Sequence, residues 1–168
     1  NNIAIFGVLG KLLDEGRKLE DMHFITTTIE HPSVLDCFHR LEKQGAGVTF
    51  LGVDSDGLVN AKELREAIKE NTVLVSIMYV NHEIGVIEPI AELGKVLRQS
   101  RGDRALPYFH VDASQAGLFV TIDTAKLGVD LLTLDAQKMY GPKGIGLLYR
   151  RIGVELNPVL LGGTQEFK

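Results

Sequence analysis

The chain has 168 residues, of which 45% are hydrophobic and 24% charged, proportions that are ordinary for one globular domain. Its 22 acidic and 18 basic residues give a formal net charge of −4, and the basic residues are scattered, so we expect no nucleic-acid surface. No apolar run reaches the roughly 18 residues of a membrane helix, so we expect no membrane contact, and the single cysteine excludes an internal disulfide and favours a reducing, cytoplasmic location.

Hydrophobic periodicity predicts helices and strands that alternate along the chain. The predicted helices cover residues 5–13, begin at Pro32 and at the Asn60 capping box, and cover residues 89–100 and the surroundings of Ala125. The predicted strands cover residues 23–28, 48–51, 73–80, 108–111 and 131–134. The nearly continuous apolar run at 73–80 indicates a strand covered on both faces. We therefore expect an α/β fold, a three-layer, doubly wound, mainly parallel sheet with helices on both faces.

Four polar residues lie just past predicted strand ends: His31, Asn81, Asp112 and Lys138. Ligands gather beyond the carboxyl ends of parallel strands, so these side chains are candidates for one site. Pyridoxal phosphate (PLP) chemistry needs a lysine amine for an imine and a carboxylate that keeps the pyridine nitrogen protonated. Lys138 and Asp112 supply them, and His31, Asn81 and Gln115 have the chemistry to contact the ring and its phenolic oxygen. PLP is therefore the predicted cofactor.

Each of these residues also has a structural interpretation when it is taken alone. Lys138 fits a solvated surface charge, and Asp112 fits a helix cap. Asn81 fits a turn, and His31 fits a position that merely precedes a helix beginning with proline. Only their convergence at one sheet edge favours a shared site.

Two patterns imitate metal sites without completing one. Residues 54–63 mimic part of an EF-hand loop, but Gly52 occupies the first ligand position and a strand precedes the loop. His82, His110 and Asp112 have ligand chemistry, but no cysteine set or HExxH arrangement accompanies them. We predict no metal site.

Four segments carry a resemblance to one enzyme family: IEHPSVL at residues 29–35, VNHEIG at 80–85, HVDASQ at 110–115 and KMYGPKGIG at 138–146. In this order they resemble the motifs of the cysteine desulfurases, which belong to the class V aminotransferase group of fold-type I PLP enzymes. The likeness runs essentially from end to end of the chain.

The resemblance implies that Lys138 holds PLP as an imine, that Asp112 pairs with the pyridine nitrogen and that His31 stacks on the ring. Lys138 and His31 are the implied catalytic residues. Gln115 would approach the phenolic oxygen, and Asn81 would lie near the cofactor and the substrate carboxylate. The implied reaction converts L-cysteine to L-alanine and leaves a persulfide on a separate cysteine. An iron–sulfur scaffold or a thiolation pathway would then accept the sulfur.

Three features depart from the family pattern. Asp135, Ala136 and Gln137 stand where the family usually has Ser-Gly/Ala-His, whose serine and histidine help hold the cofactor phosphate. Gln137 can still donate a hydrogen bond to the phosphate, whereas the Asp135 carboxylate either weakens phosphate binding or turns away to cap the backbone. The family's glycine–threonine phosphate loop would precede Asn1. Its nucleophilic cysteine loop, substrate-binding arginine and smaller C-terminal domain would follow Lys168.

We therefore expect residues 1–168 to form one domain, the central part of a PLP-binding large domain that is not competent alone. Cys37 lies among apolar residues of a predicted helix and fits a buried thiol, not the nucleophile. Two other interpretations stay open: another class V PLP enzyme, such as a selenocysteine lyase or an aminotransferase, and a catalytically silent association domain. Apolar faces left uncovered in such a domain predict a homodimer or a larger assembly.

Overall fold

The computed structural model describes residues 1–162, in which six strands form one sheet flanked by five α-helices. The strands are β1 (His23–Thr27), β2 (Gly47–Leu51), β3 (Thr72–Met78), β4 (Tyr108–Asp112), β5 (Leu131–Asp135) and β6 (Gly146–Arg150). The helices are α1 (Asn2–Asp14), α2 (Pro32–Lys43), α3 (Ala61–Ala67), α4 (Ile90–Arg101) and α5 (Thr124–Leu127), with 3-10 turns at Leu19–Asp21 and Ala136–Met139. Residues 163–168 of the predicted domain lie outside the described residues.

The strand order is β2-β1-β3-β4-β5-β6, and the first five strands are parallel. From β1 the chain first adds β2 on one side and later adds β3 on the other. Such a switch point opens a crevice beyond the carboxyl ends of the two strands, where α/β proteins bind ligands. The predicted α/β architecture is confirmed. The antiparallel edge strand β6, which pairs with β5 from Leu131 opposite Arg150 onward, is not predicted by the sequence pattern.

The sheet separates two apolar clusters, because successive strand residues point to opposite faces. Phe24 and Leu74 pack with the buried faces of α1 and α2, whereas Ile25 and Val75 pack with α3, α4 and α5. The predicted three layers are therefore present. All seven residues of β3 are buried, as the continuous apolar run indicates for a strand covered on both faces.

The helix α2 fixes the junction after β1. Pro32 occupies its first position, and the His31 side chain caps it by accepting a hydrogen bond from the Ser33 N–H. Cys37 lies on the buried face of this helix, and burial raises the pKa of its thiol. The predicted buried thiol is confirmed.

The capping box at Asn60 is also present. The Asn60 side chain accepts hydrogen bonds from the backbone N–H groups of Lys62 and Glu63, and α3 then ends at Ala67. The preceding acidic loop is a hydrogen-bonded turn around Asp54. Within residues 1–162, no group of three or more His, Cys, Asp or Glu side chains is arranged to hold a metal ion.

Directly before β5, the buried carboxylate of Asp130 forms ion pairs with two arginines. Asp130 accepts hydrogen bonds from Arg101 Nη1 at 2.9 Å, from Arg151 Nε at 2.7 Å and from the Phe109 N–H at 2.8 Å. These contacts connect α4, β4 and the segment after β6. No helix in the described part of the chain is long and apolar enough to cross a membrane.

Candidate functional site

A cavity of about 240 Å³ lies at the carboxyl ends of β1, β3, β4 and β5. It is lined by His31, Ser33, Met78, Val80, His82, Asp112, Ser114, Gln115, Asp135 and Lys138. The structure thus brings together four of the residues that the sequence points to, His31, Asp112, Gln115 and Lys138, because parallel strands end at one edge of the sheet.

Asp112, at the end of β4, is a buried carboxylate with three hydrogen-bond donors. Its Oδ1 accepts from the Ser114 N–H at 3.0 Å and from the Ser114 hydroxyl at 2.5 Å, and its Oδ2 accepts from Asn1 Nδ2 at 2.7 Å. Burial by itself would raise the pKa of Asp112, but these donors outweigh it and hold the pKa below its ordinary value. The side chain is therefore an anion, suited to face a protonated ring nitrogen.

His31 follows β1 at the same edge of the sheet and contacts a second histidine. Its ring packs edge-to-face on His82, with 5.0 Å between the ring centroids and 70° between the planes. The His82 Nδ1 atom is buried and has no hydrogen-bond partner among the described residues. Sequence reasoning considered His82 only as a metal ligand and did not place it in the cavity. The sequence signal that could have placed His82 in the cavity is its position directly after Asn81, within the 80–85 motif.

Lys138 projects from the 3-10 turn Ala136–Met139 that follows β5 directly. The turn closes tightly: Tyr140 adopts a left-handed φ of 60°, and a Cβ on Gly141 would lie 2.8 Å from the Ala136 carbonyl oxygen. Only glycine tolerates so close a backbone approach. Gly141 of the KMYGP segment is thus a geometric requirement of the turn that holds Lys138.

Asp135 caps that same turn. Its Oδ1 accepts from the Gln137 N–H at 3.1 Å, and its Oδ2 accepts from the Gln137 side-chain amide at 3.2 Å. Of the two alternatives for Asp135, the backbone cap is the one present, although the residue also lines the cavity. The side-chain amide of Gln137 donates to Asp135, and Gln137 is exposed. Its contact with a phosphate stays a prediction.

Asn81 is not among the residues that line the cavity. Its side chain holds the loop beside the cavity. Its Oδ1 accepts from the N–H groups of Glu83 at 2.8 Å and Ile84 at 2.9 Å, and its Nδ2 donates to the Ile29 carbonyl at 3.0 Å. These bonds tie the 80–85 motif to the end of β1. The predicted role of Asn81 beside a cofactor stays a prediction.

The residues present fit PLP at three of its groups. The cavity presents an amine from Lys138 for the aldehyde, an anion from Asp112 for the ring nitrogen and an imidazole from His31 for the ring face. The fourth group, the phosphate, would meet Asp135, whose carboxylate is turned into a backbone cap. Three of these four groups of PLP would therefore find a matching side chain in this cavity.

Comparisons with known proteins point to one family. Residues 2–168 match the family model described as aminotransferase class-V. The chain is 46% identical to a cysteine desulfurase IscS of Methanosarcina thermophila over 100% of its own length and 39% of that protein. It is 49% identical to a mitochondrial cysteine desulfurase of Saccharomyces cerevisiae over 99% of its own length and 32% of that protein.

Solved structures show the same likeness. A structure titled as a NifS-like protein superposes with a TM-score of 0.88 at 36% identity, over 98% of this chain and 43% of that one. SspA in complex with cysteine superposes with a TM-score of 0.87 at 40% identity, over 98% and 45%. The resemblance to cysteine desulfurases is confirmed, although the chain spans less than half the length of these relatives and neighbours. The chain belongs to the aminotransferase class-V family.

Proposed function

We propose that this chain is the central, cofactor-binding part of the large domain of a PLP-dependent cysteine desulfurase. Such an enzyme converts L-cysteine to L-alanine and passes the sulfur to an acceptor protein. The observation that carries the proposal is that Lys138 and the anionic Asp112 line the same cavity. The relatives named cysteine desulfurase and the neighbour with bound cysteine support this substrate.

The residues of the chain would divide the work as follows. PLP, when bound, supplies an electron sink for bonds that break at the substrate's α-carbon. Lys138 would bind the cofactor aldehyde through its amine and would move protons. Asp112 would hold a proton on the ring nitrogen through its negative charge. His31 would orient the ring face, and Gln115 would donate a hydrogen bond near the phenolic oxygen.

Partners and location follow from the same proposal. The sulfur acceptor would be an iron–sulfur scaffold or a component of a thiolation pathway. Large apolar side chains are exposed on the surface, among them Phe119 at 72% and Ile145 at 54%, which supports a homodimer or larger assembly. Since some similar relatives are mitochondrial, the cytoplasmic location rests on cysteine usage alone.

The test uses the full-length protein with added PLP, compared with Lys138→Ala and with Lys143→Ala as a matched control. Lys143 is an exposed lysine five residues further along the same segment. We expect a visible imine band and L-cysteine turnover in wild type and in the Lys143 variant. Lys138→Ala should lose the band and lower alanine and sulfide release by at least about a hundredfold.

Each outcome separates the candidate functions. An imine band that persists in Lys138→Ala contradicts the assignment of this lysine. A band with turnover of selenocysteine or transamination, and none of L-cysteine, favours another class V enzyme. No band in any variant favours a catalytically silent association domain.

A further inference from the structure

A continuous chain of hydrogen bonds joins two residues of the cavity, His31 and Asp112. The side-chain amide of Asn1 donates to Ser33 Oγ at 2.7 Å and to Asp112 Oδ2 at 2.7 Å. Ser33 Oγ lies 2.9 Å from His31 Nδ1, which also accepts the Ser33 backbone N–H at 3.1 Å. The two residues that would hold opposite parts of a PLP ring are thus connected through two residues that the sequence motifs leave without a role.

The charge of Asp112 sets the direction of every bond in this chain. An ionised carboxylate only accepts, so the Asn1 amide must turn its NH₂ group toward Asp112. The second hydrogen of that NH₂ group goes to Ser33 Oγ. The Ser33 hydroxyl hydrogen is then left for His31 Nδ1, which receives two donors. An Nδ1 atom with two donors carries no proton, so the ring proton must lie on Nε2.

The helix cap adds a second reason for this tautomer. A proton on Nδ1 would remove the acceptor that caps α2 and would place a donor against the Ser33 N–H. The cap therefore favours the Nε2–H tautomer over the Nδ1–H tautomer.

We propose that Asn1 and Ser33 are positioning residues, which lock His31 as the Nε2–H tautomer and tie its ring orientation to the Asp112 carboxylate. The inference rests on the proposed function, because His31 and Asp112 matter there as PLP contacts. As a consequence, Nε2 of His31, the nitrogen that is not bonded to Ser33, acts as a hydrogen-bond donor and not as an acceptor.

The neighbouring asparagine offers a matched control. Asn2 carries the same side chain as Asn1, but its amide reaches only the Ser33 carbonyl, at 3.4 Å, on the exposed side of the helix. Asn2→Ala removes an equal number of atoms one residue away and leaves the chain of hydrogen bonds intact. Ser33→Thr is the conservative variant, because it keeps the hydroxyl.

The first experiment reads the tautomer without PLP, by NMR of the full-length protein with ¹⁵N-labelled histidine, His31 being assigned by its loss in His31→Gln. We expect the Nε2–H pattern in wild type. Ser33→Ala and Asn1→Ala should both move the Nδ1 resonance of His31 in the same direction, although Asn1 does not touch His31. Asn2→Ala and Ser33→Thr should leave it in place. An Nδ1–H or averaged tautomer in wild type, or equal spectra for Asn1→Ala and Asn2→Ala, overturns the inference.

The second experiment measures PLP dissociation constants in the same proteins. Asn1→Ala and Ser33→Ala should each weaken binding about five- to tenfold, as expected for a lost hydrogen bond in a charged network. The double variant should bind PLP about as tightly as the weaker-binding single variant. Either change alone already breaks the same chain of hydrogen bonds. The inference is contradicted if the two single variants bind PLP as tightly as wild type. It is also contradicted if their fold-changes in dissociation constant multiply in the double variant. Failure of wild type to bind PLP contradicts the proposed function instead, and the NMR result then decides the inference.

Discussion

Histidines inside the sheet and histidines at its edge are used in opposite ways. His110, within β4, places Nδ1 2.8 Å from the Ser76 hydroxyl and Nε2 2.9 Å from the Thr133 hydroxyl, and so links β3 to β5. His23, within β1, bridges two threonines on the strands beside it in the same manner. Burial lowers the pKa of His110 to about 3 and that of His23 to about 4. Both are neutral cross-strand connectors.

At the carboxyl edge of the sheet, histidine side chains keep ring nitrogens that are not used in hydrogen bonds among the described residues. His31 spends one nitrogen on the helix cap, and His82 buries an Nδ1 with no partner among residues 1–162. Buried polar atoms are normally paired, so unpaired ones need an explanation. The comparison teaches that the candidate site is marked by spare hydrogen-bonding capacity and not by histidine as a residue type.

Among the variants that separate the two kinds of histidine, His110→Ala has the largest expected effect. The change removes two hydrogen bonds, leaves the buried Ser76 hydroxyl and the half-buried Thr133 hydroxyl without their partner and opens a cavity, so we expect a loss of about 3 kcal/mol of unfolding free energy. PLP affinity should stay nearly unchanged. Urea unfolding and a PLP titration of the full-length protein measure both effects.

The pH dependence of the same variant gives a second reading. Between pH 6.5 and about 3 the unfolded chain binds a proton at residue 110 that the folded protein does not. Wild type therefore loses stability as the pH falls through this window, and His110→Ala should lose less. A loss below about 1 kcal/mol at pH 7, or an unchanged pH slope, would show that the buried bridge contributes little.

Glu30 lies between the two regions and sharpens the contrast. It is buried beside His31, its Oε1 accepts from the Thr27 hydroxyl at 2.7 Å and from the Met78 N–H at 2.8 Å, and its Oε2 has no partner among the described residues. Burial, partly offset by these two donors, raises the pKa of Glu30 to about 8. The folded protein therefore holds a neutral acid here at pH 7.

Glu30→Gln tests that protonation state. From about pH 4.5 to about 8 the folded protein binds a proton that the unfolded chain does not, so wild-type stability falls as the pH rises. Glutamine stays neutral and keeps the accepting oxygen, so the variant should gain on wild type by about 2 kcal/mol between pH 6 and 8. Urea unfolding across this range measures the gain. A constant difference would mean that Glu30 is ionised in the folded protein.

The smallest expected effect on stability is at the edge itself, in His82→Ala. His39→Ala is the matched control, because His39 stacks on Phe50 with 4.7 Å between the ring centroids, on an exposed helix surface. Each change should cost no more than about 0.5 kcal/mol of unfolding free energy. Only His82→Ala should weaken PLP binding, by about threefold, because its ring supports His31 in the cavity. Equal PLP affinities in the two variants would remove His82 from the site.

Much of the fold could be predicted because its signals are local. The apolar run of β3, the proline at the start of α2 and the capping box at Asn60 each specify an element within a few residues. The strand β6 carries no such signal: it is an edge strand that leaves Leu147 55% exposed, and it exists because β5 offers a free side. Edge pairing depends on a partner strand, which a local pattern cannot reveal.

By itself, the sequence determined the alternation of helices and strands and the placement of Lys138, Asp112 and His31 just past strand ends. These features depend on periodicity and on residue type, which neighbouring residues set. Only the tertiary structure decided which side chains share a hydrogen bond: that Asp135 caps its own turn, that His82 packs on His31 and that Asn1 joins Ser33 to Asp112. Such contacts join residues as far as 111 positions apart, and their geometry arises only when the parallel strands bring their carboxyl ends to one edge.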